Sequence, residues 1–133
     1  MAGPARLPIV RHLIACHEVA EEGPDVSLLR LQTRIRPEPG DEFPLKHDVV
    51  LFAMLTEATG RHTLQYQLFS LDMEKESHWT GTPRTMDLGR DPIAFRGWKY
   101  AIRDLILEQP GAYEFRLLCD GVEIGSVSLQ VVA

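Results

Sequence analysis

Short apolar runs that alternate with polar residues at every second position organise this chain, the periodicity of β-strands rather than helices. His12 to Val19 sets Ile14 and Cys16 against Leu13 and Ala15 and stops at the polar turn Glu21-Glu22-Gly23-Pro24-Asp25. Val26 to Ile35 reads as the next strand, with Leu29, Leu31, Thr33 and Ile35 on one face before Pro37, Pro39 and Gly40 end it. In His47 to Thr56 both faces are apolar, Val49, Leu51, Ala53 and Leu55 on one and Val50, Phe52 and Met54 on the other. A strand apolar on both faces needs cover on both, so a helix, a loop or another subunit is expected over Val50, Phe52 and Met54. His62 to Leu71, after the Gly60 turn, alternates Leu64, Tyr66 and Leu68 with Thr63, Gln65 and Gln67, and is expected to pair with the preceding strand as a hairpin.

From Asp72 to Trp98 the pattern weakens, and Gly81, Pro83, Gly89, Pro92 and Gly97 suggest short strands and loops. Trp98 to Leu107 is ambiguous, since Trp98, Ala101, Ile102, Leu105 and Ile106 also fit helical spacing. The run that follows favours strand for its second half: Pro110-Gly111 makes a corner, and Tyr113, Phe115, Leu117 and Cys119 then alternate with Glu114 and Arg116. Asp120-Gly121 signals a two-residue hairpin turn, because a type I′ turn needs positive φ at both central positions. Val122 to Val132 returns as the last strand, with a bulge expected at Gly125-Ser126 that brings Val127, Leu129 and Val131 onto one face.

These runs predict an all-β, immunoglobulin-like antiparallel β-sandwich of roughly seven to nine strands, with room for one short helix. Residues 1–8, with Gly3, Pro4 and Pro8, read as a flexible arm, and residues 9–133 as one domain. The 133 residues suit a single core. A net charge of -5 disfavours a nucleic-acid partner, whose affinity comes from clustered Lys and Arg. Leu7 to Cys16 is interrupted by Pro8, Arg11 and His12, unlike an export signal, and no apolar run approaches the length of a membrane helix. The expectation is a cytoplasmic protein with no membrane partner. Cys16 and Cys119 sit in apolar runs and read as buried reduced thiols, a disulfide between them being the alternative.

The corner segment resembles immunoglobulin-like domains, where a tyrosine bonds its hydroxyl back to the backbone; Tyr113 takes that part and Phe115 stands where antibody domains place a cysteine. Val49-Val50-Leu51-Phe52-Ala53, Pro110-Gly111-x-Tyr113-x-Phe115 and Asp120-Gly121 together resemble a family of uncharacterised small bacterial proteins, which implies a fold and no activity. The last hairpin is also similar to glycogen-binding sandwich modules, which implies sugar binding, although Val122, Glu123 and Ile124 follow the turn where those modules carry an aromatic residue.

No cofactor, metal or catalytic motif is present. His12, His17, His47, His62 and His78 form no close pair, and Cys16-His17-Glu18 points to alternate faces of a strand. There is no nucleophile elbow, and carboxylate pairs such as Asp72 with Glu74 or Glu21 with Glu22 read as solvated turns. The most suggestive cluster is Arg96-Gly97-Trp98-Lys99-Tyr100, joined by Trp79 and Arg116, as a ligand or partner surface; the competing reading has Trp98 and Tyr100 capping the core. The leading functional expectation is a non-catalytic interaction or structural protein whose partner is another protein or a second copy. A small-ligand or carbohydrate module is the alternative, and an enzyme comes third.

Overall fold

A computed structural model describes residues 7–72 and 78–133. Among them are ten strands: β1 (Ile9–Glu22), β2 (Asp25–Leu31), β3 (Arg34–Ile35), β4 (Leu45–Thr56), β5 (Arg61–Ser70), β6 (Trp79–Thr80), β7 (Arg84–Asp87), β8 (Arg96–Leu107), β9 (Gly111–Cys119) and β10 (Val122–Val131). They form two sheets. One runs β2-β1-β4-β8, the other β3-β10-β9-β5-β6 with β7 also on β5. No helix is found among the described residues, so none is long and apolar enough to cross a membrane. Of the arm assigned to residues 1–8, only Leu7 and Pro8 are described, and β1 begins at Ile9.

The alternation explains the core. Inward rows from β4 (Val49, Leu51, Ala53, Leu55) meet those of β5 (Leu64, Tyr66, Leu68), β9 (Tyr113, Phe115, Leu117, Cys119) and β10 (Leu129, Val131) across the gap between the sheets. The Tyr113 hydroxyl donates to the Gln109 carbonyl at 2.7 Å, closing the corner that joins β8 to β9. At the next hairpin Asp120 and Gly121 have φ of 52° and 83°, as a type I′ turn requires. The β9–β10 register then shifts between Glu123 and Gly125, so a bulge is present but its extra residue is Ile124, just before the expected Gly125-Ser126.

Four expectations need correction. The segment Val26 to Ile35 is two strands in different sheets: Gln32 N–H donates to Ala15 on β1, while the carbonyl of Thr33 accepts from Gln130 on β10. Leu31 is therefore 61% exposed on an outer edge while Ile35 is buried, and Leu29 and Leu31 do not share its face. Second, β4 and β5 do not form a hairpin. The chain crosses between sheets through Glu57 and Gly60, both at positive φ, and β5 pairs with β9, β6 and β7. Third, the first strand is longer than His12 to Val19, since its last turn pairs with β2 as far as Glu22↔Asp25.

Fourth, Trp98 to Leu107 is strand throughout. Asp104 takes a positive φ of 53° and its N–H donates to the Asp48 carboxylate at 2.8 Å, so the register slips between His47↔Leu105 and Val49↔Ile102. That slip puts both Ile102 and Leu105 into the core, three residues apart, which is why the spacing imitated a helix.

The corner bond is testable. Tyr113→Phe keeps the packing and removes one buried hydrogen bond, and is expected to cost about 1 kcal/mol. Urea titration should show a lower midpoint with an unchanged slope.

Candidate functional site

Alternation along β8 turns Trp98 and Tyr100 inward and leaves Lys99 between them on the outer side. Trp98 stacks on Tyr66 with ring centroids 5.1 Å apart and 13° between planes, and Tyr100 meets the same ring at 5.5 Å. Trp79 meets Tyr100 and Phe115 edge-on. The Thr82 N–H donates to the Tyr100 hydroxyl, tying the strap after β6 to β8. Gly81 is required here, because a Cβ would lie 2.7 Å from the Trp79 ring. Trp98 and Tyr100 are thus half-buried against the core, as the capping reading holds, and border a groove of about 480 Å³ lined also by Arg84 and Met86, while Trp79 packs on the core beside them. The Tyr66 hydroxyl is buried in this cluster with no hydrogen-bond partner among the described residues, and burial pushes its ionisation well above the ordinary tyrosine range.

The two arginines lie elsewhere. Arg116, on the outer face of β9, stacks over Phe69 at 4.0 Å and pairs with Glu114 and Glu123, so the six-stranded sheet separates it from Trp79. Arg96 braces the loop before β8 by donating to the Leu88 carbonyl. Trp79, Trp98 and Arg116 therefore do not converge on one ligand.

The second apolar face of β4 carries Val50, Phe52 and Met54. Phe52 is buried in a separate cluster with Cys16 and Val19, against which Leu28, Val50 and Met54 pack. On this face the packing partners come from the chain's own β1–β2 hairpin, whose β1 borders β4 in the same sheet. Gly97 lets the Phe52 ring lie close on β8, since a Cβ there would sit 3.0 Å from it. Met54 is the last residue of β4 packed in that cluster. Ile9 pairs with Thr56, and Phe95 precedes Arg96, the partner of Leu55, so Ile9 and Phe95 flank the end of β4 from its two sides. Ile9 is 44% exposed, Phe95 65% and Ile93 78%. At the border Arg11 donates to the Thr56 hydroxyl and pairs with Glu57 at 2.8 Å.

A polar cluster that the sequence gave no sign of stands at the β9–β10 turn. His62, buried on β5, sets Nδ1 2.6 Å from Oδ2 of Asp120 and Nε2 2.8 Å from the Thr59 carbonyl, so the ring donates to an acceptor on each side. Asp120 also accepts from the Thr63 N–H, and the Cys119 thiol lies 3.9 Å from the same Oδ2. The Thr63 N–H and His62 hold the Asp120 carboxyl below its ordinary range. Burial, with the Asp120 charge added, pushes the Cys119 thiol up to about 12, so it is no ready nucleophile. These residues are 57 and 58 positions apart, and only the pairing of β5 with β9 brings them together.

The other chemistry weighed in the sequence stays dispersed. Cys16 is buried while His17 and Glu18 are exposed, and Cys16 and Cys119 are free thiols in separate clusters. Glu21 and Glu22 are exposed beside the β1–β2 turn, Asp72 accepts from the Ala112 N–H, and Glu74 lies outside the described residues.

No family model and no curated protein matches the chain. Among solved structures it is similar to the Pseudomonas fluorescens alkylpurine DNA glycosylase AlkC bound to DNA containing an abasic site analog, with 17% identity and a TM-score of 0.50 over 95% of this chain and 30% of that one. It is also similar to a β-glucosidase from Listeria innocua in complex with glucose, with 6% identity and a TM-score of 0.54 over 95% of this chain and 16% of that one. The chain thus spans less than a third of either neighbour, and at these identities the likeness speaks for the fold alone.

The depressed carboxyl of Asp120 fixes a pH dependence. Its contribution is present above the ordinary value of 3.8 and fades as pH falls through its lower folded value. The stability gap between wild type and Asp120→Asn, measured by denaturant titration, is expected to be widest near about pH 6 and to narrow as pH is lowered through that range.

Proposed function

We infer that the chain is a non-catalytic interaction module that docks through the uncovered end of the outer face of its four-stranded sheet, with a second copy as the occupant. The observation that carries this reading is that Ile9 and Phe95, beside the end of the strand that carries Val50, Phe52 and Met54, stand exposed to solvent, as does Ile93 two residues before Phe95. A patch of aromatic, Met and aliphatic groups with Arg at its rim has the composition of an interface core. The Arg11–Glu57 pair at the border is already neutralised within the chain, so it adds no net charge to the patch. Burial of one Phe side chain is worth about 1.5–3 kcal/mol, enough for Phe95 to act as an anchor.

Other features fit the same reading. The Tyr113 corner supports kinship with immunoglobulin-like sandwiches, and in both structural neighbours the matching part is a minor share of a longer chain. The net charge of -5 argues against nucleic acid, and two free buried thiols suit a reducing compartment such as the cytoplasm.

Sedimentation velocity over a micromolar concentration series tests the proposal. Wild type is expected to show a concentration-dependent dimer and Phe95→Asp to be monomeric, with equal urea midpoints at protein concentrations where wild type is also monomeric, because Phe95 is exposed in the single chain. A strictly monomeric wild type, or a dimer indifferent to Phe95→Asp, refutes docking of a second copy here.

A further inference from the structure

We propose that His62, Cys119 and Asp120 form a binding site for a divalent transition metal of the zinc class. One ligand atom from each of the three lies within 4.8 Å of those of the other two, a spacing that small side-chain shifts convert to tetrahedral coordination. The donors are an imidazole nitrogen, a sulfur and a carboxylate oxygen, the mixed set that suits zinc rather than calcium or magnesium.

The ring's orientation is the stronger argument. The Nε2–H of His62 donates to the Thr59 carbonyl at 2.8 Å, the outer bond that metal-ligating histidines make, and this directs Nδ1 at Oδ2 of Asp120. The Cys119 thiol points at the same oxygen. Two donors therefore converge on one carboxylate oxygen, and an ion placed among them takes the lone pairs of Nδ1, Sγ and Oδ2. Binding exchanges two protons for the ion, one from the thiol and one from between Nδ1 and Oδ2, with no oxidation or reduction.

Access and rigidity agree. His62 and Cys119 are buried, but the Asp120 side chain is 44% exposed at the surface turn, so an ion would enter from that side and take its fourth ligand from solvent. The left-handed Asp120 and Gly121 fix the carboxylate beside the strand that carries His62, through Thr63 N–H to Oδ1 and Asp120 N–H to the Thr63 carbonyl. The site is thus held before any ion arrives.

Cobalt(II) is the probe, because a bound thiolate gives it a near-ultraviolet charge-transfer band and tetrahedral coordination intensifies its visible bands. Titration of the purified full chain is expected to show both features saturating at one cobalt per chain, in wild type and equally in Cys16→Ser. Cys119→Ser should lose the charge-transfer band, and Asp120→Asn, which keeps a residue suited to the turn, should bind more weakly. Zinc should displace the cobalt and raise the melting temperature of wild type more than that of Asp120→Asn. Absence of the band in folded wild type, its persistence in Cys119→Ser, or unchanged binding by Asp120→Asn overturns the proposal. The last comparison stands even if Cys119→Ser does not fold.

Discussion

Everything in this molecule hangs on the inward rows of two sheets meeting at one layer of side chains. Each strand delivers every second residue to that layer, so a one-residue slip anywhere sends an apolar row to solvent. The structure pins the register at points where the backbone leaves extended geometry: the left-handed corner at Glu57 and Gly60, the Asp104 slip held by Asp48, the Tyr113 bond to Gln109, and the Asp120-Gly121 turn held by His62 and Thr63. These local devices are polar, and they make an apolar core of ordinary residues unique.

Much of this was legible in the residues themselves. The strand Tyr113 to Cys119, its turn, its bulge and the inward partners of Leu64 and Val49 followed from period two and from the few residues that tolerate positive φ. Sheet membership did not, because alternation says which side chains share a face and not which neighbour a strand bonds. The crossing at Gln32 and Thr33 and the jump from β4 to β5 were hidden for that reason. A positive φ at Asp104 is also invisible in advance, since an aspartate more often tolerates such a conformation than signals it, and the resulting three-residue spacing reads as a helix.

The functional surfaces divide along the same line. The doubly apolar character of Val49 to Leu55 was plain and pointed to a need for cover, but not to the hairpin that supplies half of it. Phe95 gained meaning only when the pairing of β4 with β8 set it beside the end of β4. The aromatic and basic residues around Trp98 formed a cluster in sequence yet divide in space between the core, a loop brace and the far face of the six-stranded sheet. Conversely, His62, Cys119 and Asp120 carried no local signature, because their proximity depends wholly on the pairing of β5 with β9.

The slip in β8 has one more effect. Among the described residues this strand borders its sheet, with β4 on one side only, and an unpaired strand border is in general a template on which foreign chains accumulate. Left-handed Asp104 breaks the flat ladder near its far end, and the His78 ring occupies the carbonyl of Ile106 close by. Interrupted edges are one of the devices by which sheets discourage strand-on-strand stacking, and here the interruption is the same slip that sets the core.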